Sequence, residues 1–133
     1  MPYEGPNQAI ASVLCKLGID PHERMDESDQ DAEYTACRTE EISSYFELYS
    51  RDIVDPNERA VLGCFLLEGL NECIQVGNPH PLQDGILLAL FGAGEIHATE
   101  FEYWMDTSDP DEENWWPITK VLLEYRERHR HLR

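Results

Sequence analysis

Residues 55–76, DPNERAVLGCFLLEGLNECIQV, decide the fold class. Asp55 offers a side-chain oxygen for capping, and Pro56 suits a first helical position. Glu58, three residues after the Asp, completes a capping-box arrangement. Behind these, Val61, Leu62, Phe65, Leu66, Leu70, Cys73 and Ile74 recur at helical spacing, and Leu67 widens the stripe. A helix apolar over so much of its circumference is central, with neighbours on several sides. Gly63 and Gly69 lower its intrinsic propensity slightly and leave room for another helix to come close.

The same start pattern occurs at Asp20-Pro21-His22-Glu23 and at Asp109-Pro110-Asp111-Glu112, and each predicts a helix start. Working outward, a first helix is expected over Asn7–Leu17, where Ile10, Val13, Leu14 and Leu17 share a face and Gly18 terminates. Residues 20–33 hold seven acids and one base, and read as a solvated loop or an exposed, frayed helix. Thr39–Ser50 carries Ile42, Tyr45, Phe46 and Tyr49 at the same spacing. Residues 77–81, GNPHP, break the chain before Leu82–Phe91. That apolar run is read as a helix rather than a buried strand, because Leu and Ala outweigh β-branched residues and Pro81 suits a helix start. Glu95–Met105 and Trp115–His131 complete the set, the last with Ile118, Val121, Leu122 and Tyr125 on one face. The expectation is all-α: a compact single-domain bundle of about six helices over residues 1–133 with short connections. It includes an acidic stretch near 20–35 and a short basic helix end at 126–133.

The chain has 27 acids against 10 bases, a net charge of −17. Residues 1–113 carry −20 of it and residues 114–133 carry +3. Such a field raises solubility, repels nucleic-acid phosphates and anionic membranes, and favours basic partners. The tail from Arg126 to Arg133 is a local basic patch that more readily neutralises the body's acids than binds phosphate. Cys15, Cys37, Cys64 and Cys73 show no C-x-x-C spacing, and the start MPYEGPNQAI has neither a basic n-region nor a long apolar run. Free thiols in a reducing cytoplasm are expected. Cys15, Cys64 and Cys73 lie in apolar stretches and read as small core residues. No apolar run is long enough to span a membrane.

Residues 95–116, EIHATEFEYWMDTSDPDEENWW, hold eight carboxylates, no Lys or Arg, and five large aromatics. Adjacent helical residues point about 100° apart, so one of Trp115 and Trp116 is expected partly outside. An exposed Trp116 rimmed by Asp109, Asp111, Glu112 and Glu113 suits an Arg- or Lys-rich surface. Further acids at Asp26, Glu27, Asp29 and Asp31 would add long-range steering.

Other chemistry is weaker. His97 and Glu100 share a helix face, but the order reverses the Glu-x-x-His of di-metal bundles and no second pair exists. They read as two surface side chains. The oxygens of Asp106, Ser108, Asp109, Asp111 and Glu113 fail the EF-hand register. No Gly-x-Ser-x-Gly is present, and Gly92-Ala93-Gly94 lacks the Lys and the spacing of a phosphate loop. No catalytic residue, cofactor or metal site is assigned. In length, acidity, Trp content and lack of catalytic motifs, the chain resembles the small acidic immunity proteins that neutralise bacterial toxins. The likeness implies a cytoplasmic inhibitor that occludes a basic partner. The alternatives are a structural homo-oligomer subunit and a metal-binding helical enzyme using His97 and Glu100.

Overall fold

The computed structural model describes residues 6–25, 32, 36–51 and 53–129. It contains α1 (Pro6–Lys16), α2 (Ile42–Tyr49), α3 (Pro56–Gln75), α4 (Gln83–Gly92), α5 (Ala98–Trp104) and α6 (Pro117–His129). Short 3-10 turns lie at Pro21–Glu23, Thr39–Glu41 and Glu112–Asn114, and no strand occurs among the described residues. The fold class is therefore all-α. The residues gather into two units, Met1–Gly69 and Leu70–Arg133, and α3 runs from the first into the second.

In the first unit, α3 starts on the predicted capping box. The Glu58 N–H donates to Asp55 Oδ1 at 2.8 Å, and the Asp55 N–H donates back to Glu58 Oε1 at 3.0 Å. The second Glu58 oxygen accepts from Lys16 Nζ at 2.5 Å and from Ser12 Oγ at 2.7 Å, tying α1 to the start of α3. Burial opposes ionisation of Glu58, but the hydrogen bonds from Lys16, Asp55 and Ser12 outweigh it and hold its pKa below the usual value. The stripe Val61, Leu62, Phe65 and Leu66 is buried, with Ile10, Val13 and Leu14 of α1 and Ile42, Tyr45 and Leu48 of α2. The Tyr45 and Phe65 rings lie 5.1 Å apart. Gly69 provides the expected close approach, since a Cβ there would sit 2.8 Å from Ile42 Cγ1.

α1 and α3 both end on a glycine in the left-handed region, Gly18 at φ 79° and Gly77 at φ 77°. Beyond each, the next N–H reaches back five residues: Ile19 to the Leu14 carbonyl and Asn78 to the Cys73 carbonyl, both at 2.9 Å. Only glycine takes this backbone conformation without a Cβ penalty.

In the second unit, α6 packs on α4 and α5. Ile86, Leu87, Leu90, Trp104, Ile118 and Leu122 are fully buried there. Two polar contacts satisfy helix ends. Asn71 Oδ1 accepts the Ile118 N–H at 3.0 Å, and Thr119 Oγ1 donates to the Trp104 carbonyl at 2.7 Å.

Several expectations are corrected. Only one of the three Asp-Pro-x-Glu signals starts a long helix. At Asp20 the side chain accepts from His22 N at 3.0 Å and the turn stops after Glu23. A cap lowers the cost of nucleation but needs an apolar stripe behind it, which residues 61–74 supply and residues 23–33 do not. Nor are residues 20–25 merely solvated, since Pro21 and Met25 are buried and Arg24 forms a two-pronged pair with Glu41 at 2.8 and 2.7 Å; residues 26–31 and 33 of the expected acidic loop lie outside the described residues. The helix expected from Glu95 begins at Ala98, because residues 93–97 continue the turn opened by Gly92 and Gly94. Cys15, expected in the core, is exposed; Cys37 is buried, and Cys64 and Cys73 are half-buried.

Candidate functional site

The predicted acidic site lies wholly in the second unit, between α5 and α6. Its backbone is built from consecutive Asx turns. Asp106 Oδ1 accepts from Ser108 N at 2.9 Å, Asp109 Oδ1 from Asp111 N at 2.9 Å, and Asp111 Oδ1 from Glu113 N at 3.1 Å. This explains why Asp109 starts no helix: its carboxylate closes a turn two residues on rather than capping a third position. Asp111 instead caps the short Glu112–Asn114 turn. The hydrogen bonds from Ser108 hold the Asp106 carboxyl below its ordinary pKa.

Two side-chain bonds lock the turn. Asn114 Nδ2 donates to Asp109 Oδ2 at 3.1 Å, and the Trp115 indole Nε1 donates to the Asp109 carbonyl at 2.8 Å. Lys120 pairs with Glu112 at 2.9 Å, both side chains being more than half exposed. The Glu113 and Asp111 side chains are exposed.

The sequence places Trp115 and Trp116 on the last helix, starting at Trp115; this is corrected, since α6 begins only at Pro117 and both Trp precede it. Trp115 is extended, at φ −75° and ψ 158°. The chain therefore turns Trp115 back onto the acidic loop and sends Trp116 elsewhere. Trp116 is 43% exposed and Tyr103 40% exposed, with ring centroids 5.4 Å apart. Buried Trp104 lies under both, 4.9 Å from Tyr103 and 5.4 Å from Trp116. The structure thus places Asp109, Asp111, Glu112, Glu113 and Trp116 within one short loop and its exit, with Trp116 outside. Tyr103 is a member that the sequence did not single out; its signal is that it precedes core Trp104 and so faces away from the core.

His97 and Glu100 are corrected from surface to interior. His97 is fully buried and Glu100 nearly so, with Nδ1 and Oε1 at 3.9 Å. His97 stands edge-on to Phe101. No group of three His, Cys, Asp or Glu able to hold a metal occurs among the described residues. The steering acids Asp26, Glu27, Asp29 and Asp31 lie outside the described residues, as does the end of the basic tail from residue 130. No helix among the described residues is long and apolar enough to cross a membrane.

Compared with protein-family models, with curated proteins and with solved structures, the chain matches none.

Proposed function

We propose that this chain is a small cytoplasmic protein-binding module without catalytic activity, an inhibitor or immunity-type protein that occludes a basic partner such as a toxin. One observation carries the reading. An exposed Trp116–Tyr103 pair, seated on buried Trp104, adjoins a pre-formed turn bearing Asp109, Asp111, Glu112 and Glu113. Exposed Trp and Tyr are the residues that most often anchor interfaces. Carboxylates of the adjoining turn would attract Arg and Lys to this part of the chain and speed encounter at low salt. The turn is held by its own hydrogen bonds, so little order would have to be imposed on binding. The chain's net charge of −17 acts in the same direction at longer range.

The test is an affinity capture of the tagged protein from its native lysate at low and moderate salt, with nuclease added, set beside two variants. One reverses charge at Asp111, Glu112 and Glu113 to Lys; the other is Trp116→Ala. One basic protein held by the wild type at moderate salt and lost by both variants supports the proposal. Retention by the charge-reversed variant sinks it, as does a wild-type capture of scattered basic proteins that salt removes.

A further inference from the structure

A groove of about 790 Å³ runs along α4, α5 and α6, and none of residues 106–116 lines it. Its size falls within the roughly 300–1,000 Å³ of small-molecule sites. Leu88, Phe91, Ala98, Phe101 and Met105 make apolar walls. Four rings form a ladder through this region: Phe101 stacks on Phe91 at 4.4 Å, Phe91 on Tyr125 at 5.4 Å, and Tyr125 on His129 at 4.2 Å. Mutually stacked rings restrain one another's rotation, so the wall is stiff. Gly92 also lines the groove, and a Cβ on it would meet nothing within 4 Å. The groove is therefore open where a larger residue would partly fill it.

The polar lining groups are Glu95, Arg126 and His129. Arg126 and His129 are three apart on α6 and so share a face. Arg126 has no ion pair or hydrogen bond among the described residues. His129 Nδ1 is buried and has no hydrogen-bond partner among them. A guanidinium fork and an imidazole on one face of α6, both lining an apolar groove, match a carboxylate. Glu95 opposes an anion locally, and so does Asp84, which lines an adjoining cavity with Tyr125 and His129 and, after burial, helps to raise the Tyr125 phenol pKa. Arg128, over the Tyr125 ring, offsets Asp84. More distant acids are screened beyond about 8 Å at physiological salt.

We infer that this groove is a ligand site for a small, flat, apolar carboxylate, its ring system lying against the aromatic ladder and its carboxylate held by Arg126 and His129. The site is independent of the acidic turn and of the partner proposed for it.

Calorimetric titration of the full chain with naphthoate, with its methyl ester and with naphthylmethylamine tests this. Naphthoate should bind about tenfold more tightly than either analogue, the usual worth of one charge-assisted hydrogen bond. Arg126→Gln should abolish that preference, and Glu95→Gln should strengthen naphthoate binding. Gly92→Leu should remove binding without lowering the melting temperature, because leucine is the better helix former. The inference is overturned if no probe binds at millimolar concentration, if the ester or amine binds as well as naphthoate, or if Gly92→Leu leaves affinity unchanged. A wild-type dimer that Gly92→Leu converts to monomer, with naphthoate affinity intact, would assign the groove to self-association and equally overturn it.

Discussion

The indole N–H of Trp115 donates to the carbonyl of Asp109 at 2.8 Å, joining the exit of the acidic turn to its entrance. The turn's own Asx bonds each span two residues, whereas this one spans six. Trp115→Phe keeps most of the apolar body and removes the donor. It should cost about 1 kcal/mol of stability, the usual net worth of one hydrogen bond. Hydrogen exchange should quicken at the amides of Asp111, Glu113 and Asn114, which are bonded within the turn. Unchanged protection at those amides would mean that the Asx turns hold the loop without Trp115.

Gly69 of α3 lies directly against Ile42 of α2. A methyl at Gly69 would meet Ile42 Cγ1 at 2.8 Å and Cδ1 at 2.9 Å, and Ile42 is fully buried. Gly69→Ala should destabilise by about 1–3 kcal/mol, as overpacking does, even though alanine is the better helix former. In an Ile42→Ala background the clash disappears, and the same change should become neutral or stabilising by up to about 1 kcal/mol. Urea denaturation of the four proteins of this cycle reads the coupling. Additive effects would show that the steric contact does not set the spacing of α2 and α3.

The legibility of these features in sequence follows the range of the forces that make them. The α3 stripe and its capping box are local, and residues 55–76 carried both. The terminators Gly18 and Gly77 are equally local, because only their own φ decides them. What failed needed context. Asp20 and Asp109 match Asp55 in sequence, yet their carboxylates accept an N–H two residues on and close short turns, where that of Asp55 caps at the third position. Residues 97 and 100 looked like a surface pair, and the burial of both comes from packing that no spacing rule contains. Within the candidate site, the acidic loop was readable; the exposure of Trp116 was not, because the helix assumed to splay the two Trp rings starts only at Pro117. Nor was the Trp116–Tyr103 contact, since it depends on where α5 ends and how Pro117 starts α6.

Tyr45 sits at the centre of a buried polar network that orients the chain entering α2. Its hydroxyl accepts from the Arg38 N–H and donates to Glu41 Oε1, both at 2.7 Å, while Arg24 clasps the same carboxylate. The Arg24 hydrogen bond holds the Glu41 pKa down, and burial pushes the Tyr45 phenol well above its ordinary value. Tyr45→Phe preserves the ring contact with Phe65 but leaves the Arg38 amide without this acceptor. It should cost about 2 kcal/mol, counting the two lost hydrogen bonds. Faster exchange of the Arg38 amide, with the α3 amides unaffected, distinguishes this local loss from general loosening.

Glu58 gives a prediction with a sign in pH. Its folded-state pKa lies below the ordinary 4.5, so the folded chain favours the carboxylate more than the unfolded chain does. The resulting stability is fully present above that ordinary value and is lost as the pH falls through the folded value. Glu58→Gln isolates the charge, because a Gln side-chain oxygen can still accept the Asp55 N–H and complete the capping box. Near neutral pH the variant should be less stable by about 1.5–3 kcal/mol, the range for hydrogen bonds to a charged group. As the pH falls from about 5 toward 3, the wild-type advantage should shrink, since a protonated Glu58 loses its attraction for Lys16. Denaturant titrations of both proteins across that window provide the check. Comparing the two removes the global effect of titrating the other acids, which they share. A gap that stays constant with pH would show that the carboxylate acts through shape and capping rather than through its charge.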